Sequence, residues 1–499
     1  MKQVAVIRCL RIQEVLEMVM GDLRKSSRRD VARMARTCKT FYHVAVAVLW
    51  RDVTGLRPFM STIPGHTWIK DGQQYEWIWK PTRLNGTDFD VRRLAFYVSH
   101  IKSFTWKFDS DITLSSAVRF LQGIPRSMVL LPACRTARVE NDIKWFDMLL
   151  GSRLFVAPVL EELYSNARAR HAEPVFRWLQ QIFPRLKTLH MTGPSSSVTW
   201  PPPPLTGHTL APLTTTRISA FDAHDPLTIN ALRVLSTMRT LEHISARLDL
   251  SSDSDPVAAP PGRPFRSLKS LRLFAHWIND LTLAVIKSIS STELQCLELT
   301  VKARAQSHLS EQFLLAHMTA LSRAPFRNSL REFKLYLHHD EQVDLQWNIG
   351  SQILRPVLGR LDSLVSLQIF GDAIALDFEI CRSIAEAFPH LEILALMDEG
   401  DDPYAGSLSP TLDTAARSAP LEGLAFFAKH YRALTSLRMP VRIESSVLPA
   451  WPAAQDVSAT IKDGLILLRL EGDEEAVVYD SVRAYVDVLL PAYEGIFMY

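Results

Sequence analysis

An apolar triple at offsets 0, 3 and 5 recurs along this chain, and few folds accommodate it. It reads Ile101/Phe104/Trp106, then Leu160/Leu163/Ser165, Leu186/Leu189/Met191, Leu213/Thr216/Ile218 and Leu241/Ile244/Ala246. It continues as Leu268/Leu271/Leu273, Leu294/Leu297/Leu299, Leu330/Phe333/Leu335, Leu364/Leu367/Ile369 and Leu391/Leu394/Leu396, and ends as Leu434/Leu437/Met439 and Leu465/Leu468/Leu470. From Leu160 onward the first positions step by 26, 27, 28, 27, 26, 36, 34, 27, 43 and 31 residues. Offsets 3 and 5 place two side chains on one face of a short strand, because successive side chains alternate across it. Amphipathic helical runs fill the intervals: Leu283, Ile286 and Ile289; Phe313, Leu314, Met318 and Leu321; Cys381, Ile384 and Phe388.

Strand, turn, helix, turn at about 27 residues is the leucine-rich-repeat pattern, in which no unit buries its leucines alone and stacking makes the core. The predicted fold is therefore α/β: a small N-terminal helical module, then a right-handed solenoid with parallel strands concave and helices convex. Longer steps are loop insertions, with Pro201–Pro204 and Asp253–Pro264 rich in turn residues. No triple presents itself between residues 107 and 159. The asparagine common after the strand of such repeats is replaced by Pro194, His276, Lys302, His338, Asp372 and Glu399, so the array is irregular. Asp480–Leu490 reads as a closing helix over the exposed edge of the last strand.

Ahead of the repeats, Ile12, Val15, Leu16, Val19 and Leu23 form one helical stripe. Ser27-Arg28-Arg29-Asp30 has the form of a capping box that starts a second helix, with Val31, Met34, Ala35 and Cys38 on one face. Phe41, Val44, Val48 and Leu49 continue into a third. About forty residues bury too little surface to stand securely alone, so this module needs the rest of the chain or a partner. The tryptophan-bearing stretch after it (Trp68, Trp77, Trp79) reads as an irregular connector.

Composition narrows the function. The chain has 499 residues, is 47% hydrophobic and carries a net charge of only +3, so no polyelectrolyte character points to nucleic acid. Residues 1–55 hold eleven Lys/Arg against five Asp/Glu, +6, which leaves −3 for the remainder and suits a solvated face or an acidic protein partner ahead of a membrane or nucleic-acid surface. Five scattered cysteines without a C-x-x-C pair suit a reducing compartment. Arg8 and Arg11 interrupt any signal-like apolar run, and no eighteen-residue apolar span occurs. The expectation is a soluble chain of cytoplasm or nucleus, with no membrane contact. Local signatures of hydrolases, NTPases, dinucleotide enzymes and zincins are missing. His338-His339-Asp340-Glu341 reads as a solvated strand end and Asp398–Asp402 as an acidic loop, so no metal, cofactor or catalytic residue is expected.

The N-terminal segment resembles an F-box, the module that docks substrate receptors onto the Skp adaptor of cullin–RING ubiquitin ligases. The resemblance is carried by Leu10-Arg11-Ile12-Gln13-Glu14-Val15-Leu16, the Val31–Ala35 stretch, Cys38-Lys39-Thr40-Phe41 and Leu49-Trp50-Arg51, with Gln13 where the usual proline stands. With the repeats behind it, the chain resembles the large class of fungal F-box proteins. That implies a helical domain at 5–54, a connector at 55–93 and a solenoid at 94–499. It also implies a non-enzymatic substrate receptor whose partners are a Skp-type adaptor, through it a cullin–RING ligase, and an unknown protein target. Adaptor docking is carried over to Leu10, Ile12, Leu16, Val19, Val31, Cys38, Leu49 and Trp50. Target binding is expected on the solvent face of the strands, at offsets 4 and 6: Arg272, Phe274, Glu298, Lys334, Tyr336, Gln368 and Phe370, where aromatics run beside charges. The alternative is a leucine-rich-repeat scaffold or inhibitor whose N-terminal helices only cap the solenoid.

Overall fold

The computed structural model describes residues 13–63, 66–70, 77–81, 91–107, 112, 114–125, 127–140, 157–165, 173, 176–177, 179, 181–191, 204–248, 264–275, 280–303, 311–339, 351–371, 376–397, 419–431, 433–444, 463–471, 483–486 and 496–498. The chain forms two compact units, Met1–Asp225 and Pro226–Tyr499. In both, parallel strands succeed one another in sequence order with helices between them, the architecture of a leucine-rich-repeat solenoid.

The first unit begins with three helices, α1 (Gln13–Ser26), α2 (Arg28–Met34) and α3 (Lys39–Trp50). Ser27 caps α2: its Oγ accepts the Asp30 backbone N–H at 3.2 Å, the half of the capping box that the sequence promised. Leu16, Met20, Val31, Val44, Ala45 and Val48 make the core of this module, with Leu23, Phe41 and Leu49 packed against it. Met20 thus takes the inward place expected of Val19, which is exposed. The module is fastened to its own unit by charged and aromatic contacts, among them Tyr42 stacked on Phe96. Arg24 pairs with Asp52, and Trp50 stacks on Tyr97 at 4.6 Å and meets Phe59 edge-on.

The sheet of this unit runs β1 (Asp52–Thr54), β4 (Ser103–Lys107), β5 (Thr136–Glu140), β6 (Glu162–Ser165), β7 (Thr188–Met191) and β8 (Ala220–Leu227), all parallel. The expected irregular connector instead holds an antiparallel pair, β2 (His66–Lys70) with β3 (Trp77–Pro81). The missing register between 107 and 159 is supplied by β5, whose triple is Cys134/Ala137/Val139, all buried. Small side chains stand where leucine is the usual sign, which hides the repeat. A second correction lies at β8. Leu189 pairs with Phe221 and Met191 with Ala223, so the triple is Ile218/Phe221/Ala223 and not Leu213/Thr216/Ile218. Leu213 instead sits in a 3-10 turn.

The second unit carries β9 (His243–Leu248), β10 (Ser270–Ala275), β11 (Cys296–Ala303), β12 (Glu332–His339), β13 (Ser366–Phe370), β14 (Ile393–Met397), a two-residue β15 (Ala419–Pro420) beside β16, then β16 (Ser436–Glu444), β17 (Asp463–Glu471) and β18 (Ile496–Met498). Here the triples hold register from Leu241 to Leu434: Ile244 pairs with Leu271, Leu271 with Leu297, Leu297 with Phe333, and so to Leu394 with Leu437. At β17 the register shifts, because Leu437 pairs with Gly464 and Met439 with Ile466. Among the described residues a further short strand, β18, pairs with β17, and part of the expected closing helix is present. Residues 483–486 are helical, with Tyr485 and Val486 buried.

One backbone device repeats through both units. The carbonyl just before most strands of the parallel sheet accepts two N–H groups of the next repeat. Arg135 O takes Glu161 and Glu162, Glu242 O takes Lys269 and Ser270, and Arg331 O takes Val365 and Ser366. These bonds satisfy strand-entry donors that would otherwise be buried unpaired. Close stacking also constrains Gly371: a Cβ there would meet Leu337 Cβ at 2.8 Å.

Candidate protein-binding surfaces

Because inward side chains alternate with outward ones, each register pair extends a column across the sheet. In the second unit the offset-4 column reads Ser245, Arg272, Glu298, Lys334, Gln368, Ala395 and Arg438. The offset-6 column beside it reads Arg247, Phe274, Thr300, Tyr336 and Phe370. The structure therefore brings all seven expected target-site residues onto one strand face. Arg272 reaches Glu298 at 3.4 Å and Lys334 reaches Glu332 at 3.5 Å. Tyr336 and Phe370 stack with centroids 4.8 Å apart and planes parallel to 1°. Gln368 Nε2 donates to Ser366 Oγ at 3.0 Å. Phe274 is 39% exposed. Partial burial raises the Tyr336 phenol above its ordinary pKa, and the Glu298 carboxylate adds to the effect. Tyr336 is thus a neutral hydrogen-bonding aromatic at physiological pH.

The first unit has its own column, in which offset 4 from Leu160 and Leu186 gives Tyr164 and His190. Arg138, Tyr164, His190 and Asp222 stand in adjacent strands. The Arg138 guanidinium lies 5.1 Å from the Tyr164 ring centre. Tyr164 stacks on His190 at 4.2 Å, and His190 Nδ1 meets Asp222 Oδ2 at 3.2 Å. The signal was offset 4 from Cys134 and Ile218, concealed by their irregular triples.

The residues carried over for adaptor docking separate into groups. Leu10 and Ile12 lie outside the described residues. Leu16 and Val31 are buried in the helical core. They are needed there because so small a module has few other side chains to bury. Val19 and Cys38 are exposed. Leu49 packs against the helical core, and Trp50 against Tyr97 and Phe59. Met18, which the helical stripe does not single out, is 63% exposed beside Val19.

Three of the thiols are poor nucleophiles. Burial pushes Cys134 and Cys381 up to about 12 and raises Cys296, so these three stay protonated at neutral pH. Among the described residues no group of three or more His, Cys, Asp or Glu is placed to hold a metal ion. Asp340, Glu341 and Asp398–Asp402 lie outside them. No described helix is long and apolar enough to cross a membrane.

No protein-family model matches the chain, and no curated protein does. Among solved structures, the crystal structure of an internalin from Listeria monocytogenes is similar over 67% of this chain and 81% of its own, at 13% identity and a TM-score of 0.34. At that score the likeness carries no weight, and the repeat architecture rests on the strand pairing described above.

Proposed function

We propose that this protein is a substrate-recognition subunit of a Skp–cullin–F-box ubiquitin ligase, working in the cytoplasm or nucleus. The parallel-strand repeats are a protein-binding scaffold. In this reading the N-terminal helices dock the Skp adaptor, and through it the cullin–RING ligase, while the strand face of the second unit holds a target protein. No chemistry is asked of the chain itself: tethering raises the effective concentration of target near a ubiquitin-charged enzyme.

The observation that carries the reading is the surface of α1. Five large apolar side chains are exposed among the described residues, and two of them, Met18 and Val19, are consecutive on this one helix. Adjacent exposed apolar side chains mark an interaction site more strongly than scattered ones. Co-expression with a Skp adaptor tests it. Met18→Glu with Val19→Glu is expected to abolish adaptor retention at unchanged melting temperature; unchanged retention would sink the docking assignment.

The second reading, a scaffold or inhibitor with a purely capping N-terminus, is favoured by the Trp50–Tyr97 stack and the Arg24–Asp52 pair, which fasten the helices beside β1. Under it the double substitution leaves every partner in place, while Trp50→Ala lowers the melting temperature.

A further inference from the structure

The helical module carries positive charge that folding leaves unanswered. Residues 24–39 hold seven Lys/Arg against a single Asp. Arg28, Arg29, Ala32, Arg33 and Arg36 recur at helical spacing along α2, and all are exposed. Val31, Met34 and Ala35, on the opposite face, pack into the core of the module. Arg36 lies in the turn that closes the helix, its N–H bonded to Arg33 O at 3.0 Å. Three of the seven cations are paired: Arg33 with Asp30 at 2.8 Å, Lys25 with Asp22 at 3.0 Å, and Arg24 with Asp52. Arg28, Arg29, Arg36 and Lys39 have no ion-pair partner among the described residues.

Stability does not account for these four. Arg28 and Arg29 stand in the first turn of α2 and Lys39 in the first turn of α3, where the helix macrodipole disfavours cations. Arg29 and Arg33 are four residues apart, a like-charged pair that weakens a helix. Elsewhere in the fold the charges of neighbouring repeats meet in opposite pairs, Lys187 with Glu161 at 3.2 Å and Lys269 with Glu242 at 2.9 Å.

What the face lacks narrows its occupant. α2 has no aromatic side chain on which a nucleic-acid base could stack. It exposes no large apolar side chain to enter a lipid surface. Glu14, Glu17 and Asp22 are exposed on the preceding helix, α1, and would repel a broad sheet of phosphates. A polypeptide carrying carboxylates over a short length avoids that repulsion. Arg28 to Arg36 spans about 12 Å at ~1.5 Å per residue, the reach of about four extended residues. The planar guanidinium accepts a carboxylate in two parallel hydrogen bonds.

We propose that the outward face of α2 recognises an acidic segment of a partner protein, with Arg28, Arg29 and Arg36 receiving its carboxylates. The adaptor reading rests on Met18 and Val19 of α1, so either assignment can fail without the other.

Fluorescence polarisation with the full chain and a labelled peptide of twelve glutamates is the test. Arg28→Gln, Arg29→Gln and Arg36→Gln together should weaken binding by about tenfold or more, with no fall in melting temperature, and affinity for the unaltered chain should drop as salt rises. Lys at the same three positions should give intermediate binding, because the charge is kept and the fork is lost. Arg51, Lys102 and Arg135, exposed at the entries to β1, β4 and β5, serve as the control: Gln at all three should leave binding unchanged. No binding of the glutamate peptide, or an equal loss in the control protein, would overturn the proposal. So would tighter binding of a twelve-nucleotide single-stranded DNA, or of phosphatidylserine vesicles, than of the peptide.

Discussion

The two units build the same repeat from different side chains. In the second, the inward positions are almost uniformly large: Leu271, Leu297, Phe333, Leu367, Leu394 and Leu437 succeed one another across the sheet, each buried. In the first, Ala137 stands in that column between Phe104 and Leu163, and Ala223 and Ser165 in the next. The outward faces differ in the opposite sense. The first unit closes its face on itself, from Arg138 over Tyr164 and His190 to Asp222. The second leaves Thr300 between two aromatic rungs. Internal stability and readiness to bind are therefore distributed differently: a face whose rings and charges already have partners gains less from a visitor than one with a rung missing.

The comparison can be broken by substitution. The largest effect belongs to the second unit's core. Phe333→Ala should cost about 3–5 kcal/mol and sharply accelerate hydrogen exchange in β10–β13. Val139→Ala in the first unit removes less buried apolar surface and should cost about 1.5 kcal/mol, seen in exchange of β4–β6. If the two losses were equal, the contrast between the cores would not be real.

The ladder of the first unit comes next. Tyr164→Ala removes a stack and a cation–π contact and should cost about 1–2 kcal/mol, while leaving target capture by the second unit untouched. Tyr336→Ala loses its own stack on Phe370, so about 1 kcal/mol, but loses target capture as well. A Tyr164→Ala protein that no longer held the target would erase the distinction between a closed face and an open one.

The smallest effect concerns pH. His317 is buried, its Nδ1–H donates to Phe313 O at 2.6 Å and its Nε2 accepts from Thr282 Oγ1 at 2.8 Å. Burial holds its pKa below the ordinary histidine value. Below about pH 6.5 the unfolded chain binds a proton that the folded chain refuses, so stability is full above that pH and declines as pH falls toward the folded value. Urea unfolding of the second unit should show this decline, and His317→Gln should flatten it. An equal slope in both proteins would assign the acid sensitivity elsewhere.

The same contrast explains how much of the molecule was legible in its sequence. Where nearly every inward position is a large hydrophobe, the 0, 3, 5 spacing alone gave register from Leu241 to Leu434. Where Cys134, Ala137 and Ala223 fill the narrower spaces, no pattern in single residues separates a strand from a turn. Leu213 then drew the eye five residues too early. The offset-4 and offset-6 columns were readable, because pairing of regular parallel strands turns sequence offsets into spatial neighbours. The first helix was less so: its apolar stripe identified inward and outward residues only approximately, so Met20 and Val19 exchanged roles.

By itself, then, the sequence determined that this chain stacks parallel strands and helices, because two superposed periods admit no other economical burial. Only the tertiary structure decided which side chains meet across strands: that Tyr164 finds His190, that Cys134 opens a hidden repeat, and that Thr300 falls between two rings. Those neighbours are 26 to 36 residues apart in sequence, and loop length between repeats, which no periodicity fixes, sets which residue arrives opposite which.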